Sequence, residues 1–317
     1  MKNQILIIGK IPPPTGGVTI HVSRIIEKLK KDNVNYVFID LKYKNLLSIF
    51  FKILKYKNVH LHSNSTFFQF YFILLTKILN KNSILTIHAE IGQHNLQLKN
   101  QLESISIKYA KFPILLNIKS YNIAKIINEN TILDSAYISP SEIINLPIEL
   151  LKKINKFKEI YKKIFCTNAY NRVFDKNENE LYGIDELIQI FKQNDYLLII
   201  CDPSGSYKNY YKNNEFKNVY FINYNIHFVS LLHHVDGFIR NTTSDGDSIS
   251  IHESLQLNKP VFCTNVVDRP NNVILYKNAL LELPNLLDLN INSDSNNYIL
   301  KENKIFDLYK KLIQEND

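Results

Sequence analysis

The stretch FIRNTTSDGDSISIHESL, residues 238–255, combines three local signals that decide the fold. An apolar start, typical of a buried strand, leads into a polar turn at Gly246, and a helix follows for which Asp247 or Ser248 can act as the N-cap. The first turn of such a helix carries unpaired N–H groups and the positive end of the helix dipole. Such a helix start is suited to an anion such as a diphosphate, whereas the segment taken alone favours an ordinary capped helix with a solvated Glu253.

The same alternation of strand and helix runs through the whole chain. Short apolar runs, typical of parallel strands buried on both faces, alternate with longer helical stretches. The predicted strands are residues 5–8, 36–40, 59–62, 84–88, 114–117, 164–167, 197–201, 219–222, 237–240 and 261–264. In the first half, the predicted helices are residues 18–31, 45–56, 66–80, 95–110 and 119–129. This α/β pattern predicts two Rossmann-like domains that face each other across a cleft.

A break in the pattern near Ser139-Pro140-Ser141 marks the domain boundary. We place the boundary between about residues 140 and 163, and we assign residues 1–150 to an N-terminal domain and residues 151–317 to a C-terminal domain with a terminal helix. The apolar residues of that helix share one face, with the spacing i, i+3, i+4 and i+7: Ile305, Leu308, Tyr309 and Leu312.

Composition bounds the class of protein. A length of 317 residues suggests two domains, and 45% hydrophobic with 21% charged residues excludes a disordered chain. Cys166, Cys201 and Cys263 are far apart and include no CxxC, which argues against disulfides and structural zinc and favours a reducing compartment. The N-terminal apolar run is too short for a signal peptide, and no stretch approaches the roughly 20 residues of a membrane span. We expect a cytoplasmic protein.

The formal net charge of +8 comes from 34 lysines scattered along the chain and only four arginines. No arginine-rich arm, helix-turn-helix or zinc-finger spacing accompanies it. We therefore expect no binding to nucleic acid and weigh attraction to anionic lipid headgroups above it.

Two features of the first half follow predicted strands and are candidate ligand contacts. Gly16 and Gly17 let backbone N–H groups approach a ligand closely at the start of a helix. His88 ends a strand, where a neutral imidazole can hydrogen-bond a substrate hydroxyl. His60 and His62 share one strand face, and we favour packing over metal binding because no further ligand lies beside them.

The stretch quoted first resembles retaining glycosyltransferases of family four, which have the GT-B fold. The family pattern of an acidic residue, seven residues and a glutamate is matched here by Asp245 and Glu253. Five further segments are similar to the family: PPPTGGVTIHV, VHLHSNS, ILTIHAE, TNAYNR and YGIDELI. NKPVFCTNVVDRP is similar to a bacterial subgroup that builds surface polysaccharides.

The resemblance implies transfer of a sugar, with retention, from a nucleoside diphosphate sugar to a hydroxyl of a growing surface glycan. That glycan would be a capsule, an O-antigen or a lipid-linked oligosaccharide. The N-terminal domain would hold the acceptor and the C-terminal domain the nucleotide-sugar donor, with no other cofactor. The enzyme would work in the cytoplasm, with the inner face of the cell membrane as an alternative location.

The resemblance also implies a role for each matching residue. Gly16 and Gly17 would border the diphosphate and the acceptor, and His88 and Asp245 would contact the transferred sugar. Glu253 would bind the ribose, for which an acceptor-only carboxylate suits the paired hydroxyls. The diphosphate would meet Arg172 and the backbone of Gly246, Asp247, Ser248 and Ile249.

The sequence departs from the family at two positions. Asp245 stands where glutamate is commoner, and Tyr182 stands where a lysine usually precedes the glycine, here Gly183. The family neutralises the diphosphate with an arginine and that lysine. The second charge would therefore have to come from Lys176, Arg240 or Arg269.

Three other interpretations can be compared with this one, of which the last two remain open. The DGD of residues 245–247 resembles the metal motif of the other glycosyltransferase fold, but it lies too late in the chain and at a helix start, so we expect no metal site. The missing lysine also fits a non-catalytic GT-B partner subunit. A GT-B epimerase or phosphorylase is the third interpretation.

The stretch of residues 44–57, which contains the predicted helix 45–56, is amphipathic. Lys44, Ser48, Lys52 and Lys55 form one stripe, and the apolar residues opposite it are Leu46, Leu47, Phe50, Ile53 and Leu54. Such a helix fits the surface of a membrane, and it equally fits a Rossmann helix with its lysines in water.

Overall fold

The computed structural model describes residues 2–43, 45–175, 177–289, 298–299 and 302–314. The chain divides into two compact units, one comprising Met1–Ser141 with Lys301–Asp317 and the other comprising Glu142–Leu300. Each unit is built on a sheet of six strands, and every pairing between neighbouring strands is parallel. The prediction of two Rossmann-like α/β domains is confirmed.

The first unit has strands β1 (Lys2–Gly9), β2 (Tyr36–Asp40), β3 (Tyr56–His62), β4 (Asn82–Ile87), β5 (Phe112–Leu115) and β6 (Ile132–Leu133). They lie in the order β2-β1-β3-β4-β5-β6. The connecting helices are α1 (Gly17–Lys31), α2 (Leu46–Lys55), α3 (Thr66–Ile78), α4 (Gln97–Tyr109) and α5 (Ile118–Ile127). The apolar stretch Ile5 to Ile8 is fully buried, as expected of a central strand with helices on both faces.

The second unit has strands β7 (Ile164–Asn168), β8 (Leu197–Cys201), β9 (Val219–Ile222), β10 (Gly237–Arg240), β11 (Val261–Thr264) and β12 (Ile274–Tyr276), in the order β12-β11-β10-β7-β8-β9. Its helices are α6 (Ile148–Ile160), α7 (Ile184–Phe191), α8 (Ser206–Tyr210), α9 (Phe228–Leu232), α10 (Ile249–Gln256) and α11 (Ala279–Leu287). Strands β10 and β7 are the two central strands, so their carboxyl ends lie side by side.

The terminal helix α12 (Lys304–Gln314) belongs to the first unit, whereas the sequence analysis assigned it to the second. Its predicted apolar face is buried, and Tyr309 lies against His60 of β3 while the Leu312 carbonyl accepts from the Asn58 side chain. The boundary between the units lies at residues 141 and 142, within the predicted range of about 140–163, whereas residue 150, where the two assigned domains meet, falls within α6. Periodicity reveals which face of a helix is buried but not which element covers it.

Helix α2 also differs from its predicted arrangement. Only Ile49 and Ile53 of this helix are buried, and both pack into the core of the first unit. Leu46, Leu47 and Leu54, which the sequence analysis placed opposite the lysines, are exposed. Lys44, the first residue of the predicted lysine stripe, lies outside the described residues. The outward surface of α2 is therefore apolar as well as basic.

Candidate functional site

The stretch that decided the fold forms strand β10, a loop and helix α10, as predicted. Ser248 is the N-cap residue of α10, and its side chain makes no capping hydrogen bond. Asp247, the other predicted cap, bonds instead to Nε2 of His252 at 2.5 Å, while Nδ1 of that ring bonds to the Tyr298 hydroxyl. The first turn of α10 thus keeps the anion-binding character that the sequence predicted.

Asp245, in the loop before α10, is held by two arginines. Arg240 at the end of β10 bonds both carboxylate oxygens at 3.0 Å, and Nη1 of Arg269 bonds Oδ2 at 2.8 Å. The side chains are 14%, 8% and 2% exposed for Arg240, Asp245 and Arg269, so the three charges share a nearly dry environment. The group carries a net charge of +1, from two guanidinium groups and one carboxylate.

The pKa of Asp245 reflects these neighbours. Burial alone would raise the pKa of this carboxyl group, but the charges and hydrogen bonds of Arg240 and Arg269 outweigh burial and hold the pKa below its ordinary value. Asp245 therefore stays ionised and pairs with both arginines across the physiological pH range. In this structure its two oxygens face guanidinium groups, whereas the sequence analysis assigned them to sugar hydroxyls.

Asn168 connects the arginine pair to helix α10. This residue ends β7, and its backbone carbonyl and Oδ1 accept from Nη1 of Arg240 at 3.4 and 3.3 Å. Its Nδ2 donates to Oγ of Ser250, in the first turn of α10, at 2.5 Å. A hydrogen-bonded network therefore runs from Arg269 to the start of α10. Asn168 is not among the predicted site residues, although its position directly after a predicted strand was a usable signal.

The Tyr182–Gly183 pair lies against the same loop. The guanidinium carbon of Arg240 is 5.3 Å from the centre of the Tyr182 ring, in a cation–π arrangement. Gly183 has a φ of +59°, and a Cβ there would clash with the backbone and side chain of Asn241. The close approach explains the glycine, and the guanidinium group of Arg240 lies beside Tyr182. Lys176, another candidate for that charge, lies outside the described residues.

Arg172, also in the second unit, contacts a different group of residues. Its Nη2 bonds Oδ2 of Asp185 at 2.9 Å, and its guanidinium carbon is 3.8 Å from the Tyr210 ring centre and 4.8 Å from that of Phe174. Among the described residues, its buried Nε has no hydrogen-bond partner. The guanidinium group of Arg172 thus has a buried N–H without a partner in the described part of the chain, and its contacts with Asp185, Tyr210 and Phe174 fix its plane.

Glu253 lies on α10, one turn beyond Ile249, and is buried. Glu253 is 4% exposed, which is unusual for a glutamate and fits a positioned carboxylate better than a solvated one.

In the first unit, Gly16 and Gly17 form the loop between β1 and α1. Gly16 is the N-cap residue of α1, and its N–H donates to Oγ1 of Thr19 at 3.0 Å. Around Gly17, a Cβ would meet nothing within 4 Å among the described residues. The helix start therefore leaves open space beside its first residue.

His88 follows β4 and belongs to a cluster of four histidines that the sequence analysis did not foresee. His62 Nδ1 lies 3.2 Å from His88 Nε2, and the His60 and His62 ring centres are 4.0 Å apart. His21 of α1 packs against both His62 and His88. His60 and His62 lie on β3, which pairs with β4, so knowing the strand order would have revealed three of the four.

Burial and the charges of neighbouring histidines disfavour protonation of three members of this cluster. Desolvation, followed by the charges of neighbouring histidines, lowers the pKa of His60, His62 and His88 well below the ordinary value of 6.5. A neutral His88 is the form that can both donate and accept hydrogen bonds.

Acidification is therefore expected to destabilise the protein. Below about pH 6.5 the unfolded histidines bind protons while the folded ones do not, so the free energy of unfolding falls by up to about 1.4 kcal/mol per pH unit for each histidine. Urea unfolding, followed by circular dichroism from about pH 7.5 to about pH 5.5, measures the slope. His62→Gln should flatten it, and His233→Gln, at an exposed position of the second unit, should not. A midpoint independent of pH in the native protein contradicts the expectation.

Among the described residues, no group of three or more His, Cys, Asp or Glu side chains is arranged to hold a metal ion. The two carboxylates of the DGD sequence are engaged separately, Asp245 with arginines and Asp247 with His252. No described helix is both long and apolar enough to cross a bilayer.

Comparison with known proteins supports the fold. No family model and no curated protein matches the sequence. Anabaena HepE, solved in complex with UDP-glucose, matches with a TM-score of 0.67 and 12% identity over 90% of this chain and 88% of that one. The UDP-forming α,α-trehalose-phosphate synthase of Burkholderia vietnamiensis matches with a TM-score of 0.64 and 8% identity over 99% of this chain and 94% of that one. WaaG, a glycosyltransferase involved in lipopolysaccharide biosynthesis, matches with a TM-score of 0.61 and 12% identity over 89% of each chain. The chain has the GT-B fold.

Proposed function

We propose that the protein is a retaining glycosyltransferase that moves a sugar from a nucleoside diphosphate sugar to a hydroxyl of a growing surface glycan. The network that joins Arg269, Asp245, Arg240 and Asn168 to Ser250 at the start of α10 carries the proposal. It combines two guanidinium groups with a helix N-terminus, and both favour phosphate. The fold shared with HepE, which binds UDP-glucose, supports a nucleotide-sugar donor.

The network would act on the leaving group. As the bond between the sugar and the diphosphate breaks, negative charge grows on the diphosphate and positive charge on the sugar. Fixed positive groups aimed at the phosphates stabilise that charge without reorganising during the reaction. No side chain is assigned as a nucleophile, and catalysis would rest on electrostatics and positioning.

Arg240 would supply the charge that the family lysine supplies elsewhere. It stacks on Tyr182, the residue that replaces that lysine, and it remains bound to Asp245 rather than to solvent. Arg172, with its unpartnered Nε, would supply the other diphosphate contact. Glu253 would bind the ribose, and the backbone from Gly246 to Ile249 the phosphates.

Residues of the first unit would serve the acceptor and the transferred sugar. The neutral His88 would hydrogen-bond the sugar, and the open space at Gly17 would admit the diphosphate and the acceptor. The acceptor would be a glycan or a lipid-linked glycan, and we propose that the basic helix α2 contacts a membrane surface at the inner face of the cell membrane.

A thermal-shift screen with UDP, GDP, CMP and their sugars tests the donor class, because a ligand that binds only the native state raises the unfolding temperature. We expect one nucleoside diphosphate and its sugars to raise it. Turnover of the matching sugar then separates the alternatives. Transfer supports this proposal, isomerisation indicates an epimerase, and binding without turnover indicates a partner subunit. No shift with any nucleotide contradicts the proposal.

Transfer is expected to continue without a divalent metal. A magnesium site would need one or two carboxylates facing the phosphates, and Asp245 and Asp247 are bonded to arginines and to His252. Initial rates after EDTA treatment, with and without added Mg²⁺ or Mn²⁺, measure the dependence. Activity that EDTA abolishes and metal restores would instead support a metal site at the DGD sequence.

A further inference from the structure

We propose that the outward surfaces of α2, α3 and α4 form one docking surface for an anionic lipid bilayer. We call it the apolar face, and it consists of the exposed apolar side chains on the outward sides of these three helices. The inference deepens the membrane contact of the proposed function, from one helix to three, but needs no part of the donor chemistry.

On α2, the apolar face comprises Leu46, Leu47, Phe51 and Leu54, which are 39–64% exposed. Helix α2 contributes Ile49 and Ile53 to the core cluster of the first unit, and among the described residues these four side chains lie outside that cluster. A helix on the surface of a protein in water normally has polar residues at such positions.

Helix α3 repeats the pattern. Phe67, Tyr71, Leu74 and Ile78 follow the spacing i, i+4, i+7 and i+11, so they form a stripe along one side of the helix. All four are exposed, between 38% and 73%, while Phe72 and Ile73 of the same helix are buried in the core. The helix is therefore apolar on both its inner and its outer side.

Helix α4 adds Leu98, Ile105 and Tyr109, which are exposed on one side at the spacing i, i+7 and i+11. The three helices cover the same face of the sheet, because their inward residues pack into one core cluster with β1, β3 and β4. The ammonium group of Lys77 on α3 lies 3.4 Å from the Tyr109 ring centre, and that of Lys81 donates to the Leu54 carbonyl of α2. The exposed stripes are thus neighbours on a single surface.

The charged residues around the apolar face indicate which partner binds it. Residues 41–89, which include α2 and α3, contain seven lysines and no aspartate or glutamate. The single acid of the three helices, Glu103, is buried and accepts from the Gly92 N–H. An apolar surface edged by lysines, with phenylalanine and tyrosine among the exposed residues, matches a bilayer with anionic headgroups. A second copy of the chain fits poorly, because a symmetric contact would bring lysine against lysine.

Flotation with vesicles tests the proposal. The full chain, without nucleotide, is mixed with vesicles of phosphatidylcholine and with vesicles of phosphatidylcholine and phosphatidylglycerol. We expect the protein to float with the anionic vesicles, to bind the neutral ones at least about tenfold more weakly, and to dissociate at high salt. Equal binding to both vesicles, or no binding to the anionic ones, overturns the proposal.

Variants separate the two contributions. Phe51→Ser with Phe67→Ser removes exposed apolar area, and Lys52→Glu with Lys55→Glu reverses the charge at its edge. Each pair should weaken binding to anionic vesicles by about tenfold or more. Leu281→Ser and Lys152→Glu, at exposed positions of the second unit, are the matched controls and should bind like the native protein. Variant pairs that bind as tightly as the controls overturn the assignment.

Two further measurements distinguish membrane docking from dimerisation and from a change in nucleotide binding. Size-exclusion chromatography shows whether the native protein is a dimer that Phe51→Ser with Phe67→Ser dissociates, a result that would assign the apolar face to a second copy and overturn the proposal. The thermal shift with nucleotide should be the same for these variants and the native protein. Vesicle binding without any nucleotide-dependent activity would support the docking surface while contradicting the proposed function.

Discussion

Asp245→Ala is expected to lower the free energy of unfolding of the second unit by about 3–5 kcal/mol. The substitution leaves Arg240 and Arg269 facing each other in a nearly dry environment, with no carboxylate between them. Urea unfolding without nucleotide measures the loss. Asp247→Ala, which removes a carboxylate bonded to a histidine in the same loop, is the matched control and should cost less. A loss below about 1 kcal/mol would show that the arginines relax into water and do not depend on Asp245.

The same variant should affect ligand binding and turnover in opposite directions. With the carboxylate gone, the net charge of the arginine pair rises from +1 to +2, so affinity for a nucleoside diphosphate should be retained or increased. Turnover should fall, because the arginines lose the partner that fixes their position. Calorimetry and initial rates at a temperature where the variant is folded measure the two quantities. A parallel loss of both would assign Asp245 to nucleotide binding itself.

Glu253→Ala is expected to weaken nucleotide binding by a factor of about 10 to 150. The factor corresponds to the roughly 1.5–3 kcal/mol of a hydrogen bond to a charged group. The ribose hydroxyls would lose an acceptor-only carboxylate that lies buried on α10. Calorimetric titration with the preferred nucleoside diphosphate measures the change, and Glu215→Ala, at an exposed position of the same unit, is the control. Native-like affinity in a folded Glu253→Ala variant would remove this residue from the site.

Much of the fold could be predicted from sequence because its strands are buried on both faces. Continuous apolar runs gave the bounds of β2, β8, β9, β10 and β11 without error. Strands β6 and β12 were missed because two or three residues carry too little periodicity to be recognised. The unit to which α12 belongs was also missed, because its contact with β3 joins residues about 250 positions apart.

The candidate site was predictable only where the signal is local. The strand, turn and helix of residues 238–255 follow from neighbouring residues, and so does the open helix start. The pairing of Asp245 with Arg269 depends on a loop 24 residues further along the chain. Asp247 has the residue type of a helix cap, yet His252 takes its carboxylate, so a contact one turn along the helix overrides the local preference.

Sugar transfer itself is the most direct test of the proposed function. The native protein is incubated with the nucleoside diphosphate sugar selected by the thermal-shift screen and with lipid-linked glycan acceptors, and the acceptor mass and the released nucleotide are measured by mass spectrometry. We expect an acceptor heavier by one sugar residue, an equal amount of nucleoside diphosphate, and loss of both products in Asp245→Ala. Donor that binds but remains intact with every acceptor, or equal product from Asp245→Ala, would contradict it.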